Sequence, residues 1–404
     1  MDLRQRLARL DRLTNRGAVA ADPALSPPGD GSGIPEAPPA ELGLREVSTT
    51  AGPCWVREWR EAGPPVPVSL PDLAGILSRY ADRRPDREKI LLLDTETTGL
   101  SGGTGTLAFL VGLAWWEGPE LVVRQLLLPG PGRESGMLCA LAEWAAPFEV
   151  VATFNGAAFD LPLLRTRALM NRRTDPLAHA LSWDLLPACR RMWGRTLPDC
   201  RQQTVETRVC GLARGEGDIE GARIPEVWRA WLAGEGTDDL LCVLRHNRWD
   251  LAGMAWILDR LCTESRAAGA GPDAIEPDWR RAWALARVAE RRRDDNTAAA
   301  WICAALAAGS AEATFAVAPP FTVDAVRILK RARCWVDLEA LLEAALASGA
   351  GTWAHREAAI LYEHRLARLE KALGHARQCG EPGREERLLR RLARSAGTEQ
   401  GVDP

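Results

Sequence analysis

The sequence predicts an α/β fold, a mixed sheet flanked by helices, followed by an all-α region. Three observations lead to this prediction. From Lys89 to about Leu261, apolar runs of strand length and segments with helical periodicity follow one another, as they do in layered α/β domains. Beyond about Thr263 the strand patterns stop, and Ala-, Leu- and Arg-rich segments of helix length remain. A chain of 404 residues also exceeds the usual size of one domain, roughly 100–200 residues.

The chain divides into four predicted parts. Residues 1–44 contain a short amphipathic helix, "MDLRQRLARLDRL", and a Pro-, Gly- and Ala-rich linker that we expect to be disordered. Residues 45–88 form an extension that packs on the core, with a strand or two in "REVSTTAGPCWVREWR". Residues 89–264 form the central α/β domain, and residues 265–404 form stacked helices.

Within the central domain, "KILLLDTET", "TLAFLVGLAWW" and "ELVVRQLLLP" predict three strands, the last two joined by a hairpin at "EGPE". The segment "ESGMLCALAEWAAPF" predicts a helix, and "EVVATFNG" predicts a fourth strand. A helix from about Asp160 to Asn171 follows it. We expect a final long helix from about Thr237 to Leu261.

Composition excludes several classes of protein. No two of the ten cysteines form a C-x-x-C pair, so zinc-ribbon and thiol-redox motifs have no support. The N-terminus lacks the apolar segment of a secretory signal, and the longest apolar run, Leu107 to Trp116, is too short for a membrane helix. We therefore expect a cytoplasmic protein with no membrane partner.

Local charge differs from the net charge of −3. Between Arg165 and Arg214, ten arginines stand against four acidic residues. Such a stretch can lie along a phosphate backbone. A chain with only three lysines among its 51 basic residues also produces arginine clusters without any ligand, so both interpretations stay open.

Two acidic residues end the first strand of the central domain. In "LLLDTETTGL", Asp94 and Glu96 alternate with Thr95, so their side chains point to the same face. A lone D-x-E is usually solvated surface. Here the rest of the strand is apolar, and Thr97 and Gly99 lead abruptly out of it, which favours a site at the end of a sheet.

Two further places carry candidate side chains. Asp160 opens a helix after a strand that ends in Asn155, where a plain helix cap is the simpler interpretation. His246 and Asp250 are four residues apart on the predicted long helix and share one face, where an ordinary structural pair is again the simpler interpretation. Taken together, four carboxylates suit hard divalent cations, two of which about 3.5–4 Å apart can hydrolyse a phosphodiester. A histidine beside them can take the proton of the attacking water.

These motifs resemble the DEDD family of ribonuclease-H-fold 3′-to-5′ exonucleases. The first motif matches Asp94 and Glu96, the second matches Asp160 in "FNGAAFD", and the third matches His246 and Asp250 in "HNRWD". The stretches "LSGGTGTLAFLVGL" and "GPCWVRE" are similar to YprB-like ribonuclease-H-like proteins, which pair this domain with a C-terminal tetratricopeptide-like region. Histidine-type members space the third motif H-x-x-x-x-D, whereas this chain has H-x-x-x-D.

The resemblance implies a metal-dependent 3′-to-5′ exonuclease acting on single-stranded DNA or RNA. It implies two Mg²⁺ or Mn²⁺ ions held by Asp94, Glu96, Asp160 and Asp250. His246 is then the general base, or the group that orients the water or the scissile phosphate. We expect substrate contacts from residues beside the motifs: Thr97, Gly99, Leu100, Asn155, Phe159 and Asn247.

The C-terminal helices are expected to extend the nucleic-acid track or to bind a protein partner. The alternative function is a degenerate ribonuclease-H-like scaffold whose helical region binds that partner. Asp184, in "SWDLLPACRRMW", is interpreted as a helix cap in preference to a substrate contact.

Overall fold

The computed structural model describes residues 37–73, 75–77, 84–99, 105–274, 278–308 and 319–399. The N-terminal helix and most of the linker expected within residues 1–44 lie outside this part. The strands are β1 (Arg45–Thr49), β2 (Gly52–Ala62), β3 (Ile90–Thr97), β4 (Ala108–Glu117), β5 (Glu120–Leu127), β6 (Val150–Thr153) and β7 (Leu181–Asp184).

The strands form one mixed sheet in the order β1-β2-β5-β4-β3-β6-β7. β3 runs parallel to β6, and β6 runs parallel to β7. On the other side of β3, strands β4, β5, β2 and β1 continue with antiparallel pairing. The carboxyl ends of the three parallel strands therefore meet at one edge of the sheet, the edge where open α/β sheets bind ligands.

The helices lie between and after the strands. They are α1 (Glu134–Ala145), α2 (Asp160–Met170), α3 (Leu185–Trp193), α4 (Gln202–Val205), α5 (Ile224–Leu232), α6 (Thr237–Ala270), α7 (Trp279–Arg291), α8 (Asp295–Ala308), α9 (Pro319–Ala332), α10 (Trp335–Ala347), α11 (Thr352–His364), α12 (Leu369–Cys379) and α13 (Pro382–Glu399). A π-helical turn, Glu206–Cys210, directly follows α4. No helix of the described ranges is long and apolar enough to cross a membrane.

Strand β3 separates two apolar clusters. Ile90 and Leu92 belong to the cluster on one face, and Leu91 and Leu93 belong to the cluster on the other, because successive strand residues point to opposite faces. Helix α6 packs against β3 and β4 and contributes Leu251 to the first cluster. Asp94 and Glu96 continue the series of Ile90 and Leu92, so they point to the face that α6 covers.

The helical region shares this core. Trp283 of α7, Phe321 of α9 and Leu341 of α10 belong to the same apolar cluster as Ile90 and Leu92. Consecutive helices pack on one another, α7 with α8, α8 with α9, α11 with α12 and α12 with α13. The predicted order, a mixed sheet with helices followed by an all-helical region, is confirmed, and the tetratricopeptide-like character stays a resemblance.

Two elements differ from the sequence expectation. β7 has four residues, too few to show an alternating pattern, and the sequence did not indicate it. α6 continues to Ala270 instead of ending near Leu261, because helix-forming residues continue until Gly271, whose φ of 85° ends the helix. The predicted domain boundary at residue 264 falls inside this helix, and the four-part division remains a prediction.

Candidate metal centre

Asp94 and Glu96 lie near the carboxyl end of β3. Asp94 is paired with Gly112 of β4 across the antiparallel ladder, and the register shifts between Glu96 and Thr97. Glu96 is only 8% exposed, and its Oε1 has no hydrogen-bond partner. A buried carboxylate oxygen without a partner carries a desolvation cost, which a bound cation would offset.

Helix α6 brings two further side chains to Glu96. His246 Nε2 lies 3.2 Å from Asp250 Oδ2, so the predicted shared face is confirmed. Glu96, His246 and Asp250 each offer one ligand atom, and these atoms lie within 4.8 Å of one another. In the part of the chain that the structure describes, this is the one group of three or more His, Cys, Asp or Glu side chains with the spacing of a metal site.

Asn247 holds the Asp94 side chain in place through a hydrogen bond. It is fully buried, its amide donates to Asp94 Oδ2 at 2.8 Å, and its own Oδ1 accepts from Gln125 Nε2 at 2.8 Å. Gly112 makes room for this contact, because a Cβ there would lie 2.1 Å from Asn247 Oδ1. The expectation that Asn247 contacts substrate is therefore corrected: on a helix, neighbouring side chains point about 100° apart, so Asn247 faces the sheet while His246 faces the site.

Asp160 reaches the site from the opposite face of β3. It is the first residue of α2, and its Oδ1 accepts a hydrogen bond from Thr95. Gly156 leaves space for it, since a Cβ there would lie 2.7 Å from Asp160 Oδ2. The start of α2 has no side-chain cap hydrogen bond, although Asp160 lies in its first turn, where a negative charge is favourable. Asp160 stands apart from the three-residue group.

The loop after β6 is held in place by β7. Asn155 has a left-handed backbone, with φ of 68°, and its N–H donates to Asp184 Oδ1 at 2.9 Å. The same oxygen accepts from the Leu186 N–H at 3.0 Å. Asp184 is therefore the N-cap of α3, as predicted.

Three residues that the motifs did not indicate surround His246 and Asp250. Asp218 Oδ1 lies 2.6 Å from His246 Nδ1. Arg214 donates from Nη2 to Asp250 Oδ1 and from Nε to Glu206 Oε2, the latter at 2.9 Å. All three lie between α4 and α5, where the sequence has no periodic pattern. The only available signal was the surplus of arginines, of which Arg214 is the last.

Some of the surplus arginines lie inside the protein. Arg167 donates from Nε to Glu134 Oε1 at 2.7 Å, and both side chains are buried. Arg214 is similarly enclosed, with 11% of its side chain exposed. These two arginines neutralise carboxylates inside the protein, so they do not contribute to a surface for phosphates.

The carboxylates of the site perturb one another. Burial raises the pKa of Asp94 well above its ordinary value, and the charges of Asp250, Glu96 and Asp160 raise it further. Burial also raises the pKa of Glu96, with Asp250 and Asp160 adding to the effect and Arg214 opposing it. The pKa of Asp160 is raised as well, again chiefly by burial. Protons and cations therefore compete for the same oxygens.

A cavity of 580 Å³ adjoins Asp94 and Asp160. Its lining includes Phe154 and four of the expected substrate contacts: Thr97, Gly99, Asn155 and Phe159. Phe159 is 57% exposed, which is unusual for a large apolar side chain beside a polar site. Leu100 lies outside the described residues.

Comparison with known proteins agrees with this arrangement. Residues 91–262 match the family model of the RNase_H superfamily. This segment is therefore similar to ribonuclease-H-superfamily domains. Over 188 residues the chain is 31% identical to YprB, an uncharacterized protein of Bacillus subtilis (strain 168), and the match covers 46% of this chain and 45% of that protein. The expected YprB-like character is confirmed, over less than half of the relative's length.

The donor set of this ribonuclease-H domain fits a hard divalent cation. Such cations prefer carboxylate oxygens, and Glu96 Oε1 is a buried oxygen that lacks a partner. His246 Nε2 faces Asp250 Oδ2 at 3.2 Å.

Proposed function

We propose that the ribonuclease-H domain is a metal-dependent nuclease that removes nucleotides from the 3′ end of single-stranded DNA or RNA in the cytoplasm. The observation that carries the proposal is the group of Glu96, His246 and Asp250, in which the buried Glu96 has an unpaired carboxylate oxygen. The order of the motifs supports the exonuclease class. The direction of cutting rests on the DEDD resemblance.

The carboxylates are the proposed metal ligands. Glu96 and Asp250, with Asp94 beside them and Asp160 across β3, would hold Mg²⁺ or Mn²⁺, for which the family resemblance implies two ions. Such ions polarise the phosphate and acidify the attacking water. This chain contributes the fixed positions of the oxygens, which Asn247 secures through its hydrogen bond to Asp94.

His246 is the proposed proton acceptor. Because hard cations prefer oxygen ligands, the imidazole is left for proton transfer. Asp218 lies on Nδ1 at 2.6 Å and would hold the proton there, which leaves the Nε2 lone pair directed at the site. Asp218 is thus a positioning residue that acts through His246.

The cavity beside Asp94 is the proposed place of the terminal nucleotide. Phe159 and Phe154 line it, and an aromatic ring offers a stacking surface that every base can use, worth about 1–3 kcal/mol per base. The polar groups of Thr97 and Asn155 line the same cavity and are available to the sugar and phosphate. Nothing in this lining selects between deoxyribose and ribose.

The test is the degradation of 5′-labelled single-stranded DNA and RNA with Mn²⁺, Mg²⁺ or EDTA. We expect a ladder of shortened products from the wild type with metal, no ladder with EDTA, and none from Asp94→Asn. Asp239→Asn is the matched control, since Asp239 is exposed in the first turn of α6 and should leave the ladder unchanged. Internal cuts without a ladder would contradict the exonuclease class. If the folded wild type shortened neither substrate, the nuclease function would be contradicted. The alternative function, a scaffold whose helical region binds a partner, would then remain.

A further inference from the structure

Arg214 contacts Asp250, one of the proposed metal ligands. Its Nη2 donates to Asp250 Oδ1, while Asp250 Oδ2 faces His246. We propose that Arg214 is a built-in counter-charge that takes the place of one of the two ions, so that each chain binds a single divalent cation tightly. This inference rests on the proposed metal-dependent function and departs from the two ions that the resemblance implies.

Arg214 is held rigidly in this position. Its Nε donates to Glu206 Oε2 at 2.9 Å and its Nη2 to Glu206 Oε1 at 3.0 Å, a two-point contact that fixes the plane of the guanidinium. Glu206 is itself only 3% exposed and accepts a further hydrogen bond from Gln202 Nε2 at 2.8 Å. The close packing extends to α6, where a Cβ on Gly253 would lie 1.9 Å from Glu206 Oε1. A surface arginine could swing aside for an incoming ion, but this one is enclosed.

The charges of the site also favour a single ion. In two-metal sites the ions lie about 3.5–4 Å apart, so a second ion would need carboxylate oxygens close to the first. Here one oxygen of Asp250 already contacts a guanidinium that stays protonated, and Arg214 Nη1 lies 3.5 Å from Asp218 Oδ2 as well. A second dication on Asp250 would be repelled by this fixed positive charge. Glu96 Oε1 remains available to the first ion, because no other group forms a hydrogen bond with it.

The number of bound ions tests the proposal directly. We would titrate the full-length chain with Mn²⁺ and count bound ions from the loss of the free Mn²⁺ signal in electron paramagnetic resonance. The wild type should bind one ion per chain before any weaker binding, and Arg214→Met should bind two with similar affinity. Arg208→Met is the matched control, since Arg208 lies exposed on the same connecting segment, and it should bind one ion like the wild type.

The other outcomes would overturn either the role of Arg214 or the proposed function. Two tight ions on the wild type, or one ion on a folded Arg214→Met, would overturn the role of Arg214 while leaving the nuclease intact. No tight Mn²⁺ on the wild type would instead overturn the proposed function. Because Arg214→Met leaves the buried Glu206 without its main partner, the double variant Arg214→Met/Glu206→Gln is measured beside it. Circular dichroism shows whether each variant is folded. Two tightly bound ions on the wild type would overturn the proposal even if neither variant folds.

Discussion

The substitution Asp218→Asn should impair proton transfer by His246 without impairing metal binding, so it distinguishes the two roles. The carboxylate lies 2.6 Å from His246 Nδ1, and the pair is mostly buried, with 21% of the Asp218 side chain and 12% of the His246 side chain exposed. A hydrogen bond to a charged group contributes about 1.5–3 kcal/mol, which corresponds to roughly 10–100-fold in rate. An asparagine can also turn its NH₂ toward Nδ1, which would move the ring proton to Nε2 and block proton acceptance there.

We therefore expect Asp218→Asn to lower the single-turnover rate of oligonucleotide shortening by about 10–100-fold, while Mn²⁺ affinity stays close to that of the wild type. Asp218→Ala should lose less activity, because it does not impose the wrong tautomer. A rate for Asp218→Asn within about threefold of the wild type, below the tenfold lower bound, would refute the reasoning. Parallel losses of melting temperature and Mn²⁺ binding would show that Asp218 is only structural.

Other substitutions and conditions test the remaining parts of the site. Glu96→Gln should raise the melting temperature of the metal-free protein by a few degrees, since it removes one of several buried like charges whose pKa values are raised; a lower melting temperature would contradict this. Because the folded-state pKa values of Asp94 and Glu96 lie above their ordinary values, these groups destabilise the metal-free fold at high pH and cease to do so as the pH falls through them. The Mn²⁺-induced rise in melting temperature should accordingly shrink as the pH falls, and a pH-independent rise would count against the assignment. Phe159→Ala should raise KM about tenfold with little change in melting temperature, because the ring is 57% exposed; an unchanged KM would remove Phe159 from the substrate site. Gly112→Ala should cost about 1–3 kcal/mol of stability, because its Cβ would meet Asn247 Oδ1 at 2.1 Å, and a melting curve identical to that of the wild type would contradict this close approach.

The elements that carry the motifs were predictable because their patterns are local. The apolar run of β3 has its two acids in alternation, and the i, i+4 spacing of His246 and Asp250 required only a helix. The parallel pairing of β6 with β3 follows from strand and helix alternation. These three features were enough to predict a sheet edge with carboxylates.

The contacts that complete the site were not predictable from local patterns. Asp218 and Arg214 lie 28 and 36 residues from their partners His246 and Asp250, on an irregular segment that has neither helical nor strand periodicity. Asn247 was misinterpreted because its neighbours in "HNRWD" face the site, whereas its own side chain turns to Gln125. Tertiary packing, which the sequence pattern does not encode locally, decides which side chains of such segments meet.

The most direct test of the metal-dependent nuclease is a comparison of the wild type with Glu96→Gln on one 5′-labelled single-stranded oligonucleotide in Mn²⁺. We expect the wild type to shorten the oligonucleotide from its 3′ end and EDTA to stop the reaction. Glu96→Gln, although folded and no less stable without metal, should leave the oligonucleotide intact. Shortening by Glu96→Gln at the wild-type rate would contradict the account, because the chemistry would then take place without the carboxylate at the centre of the site.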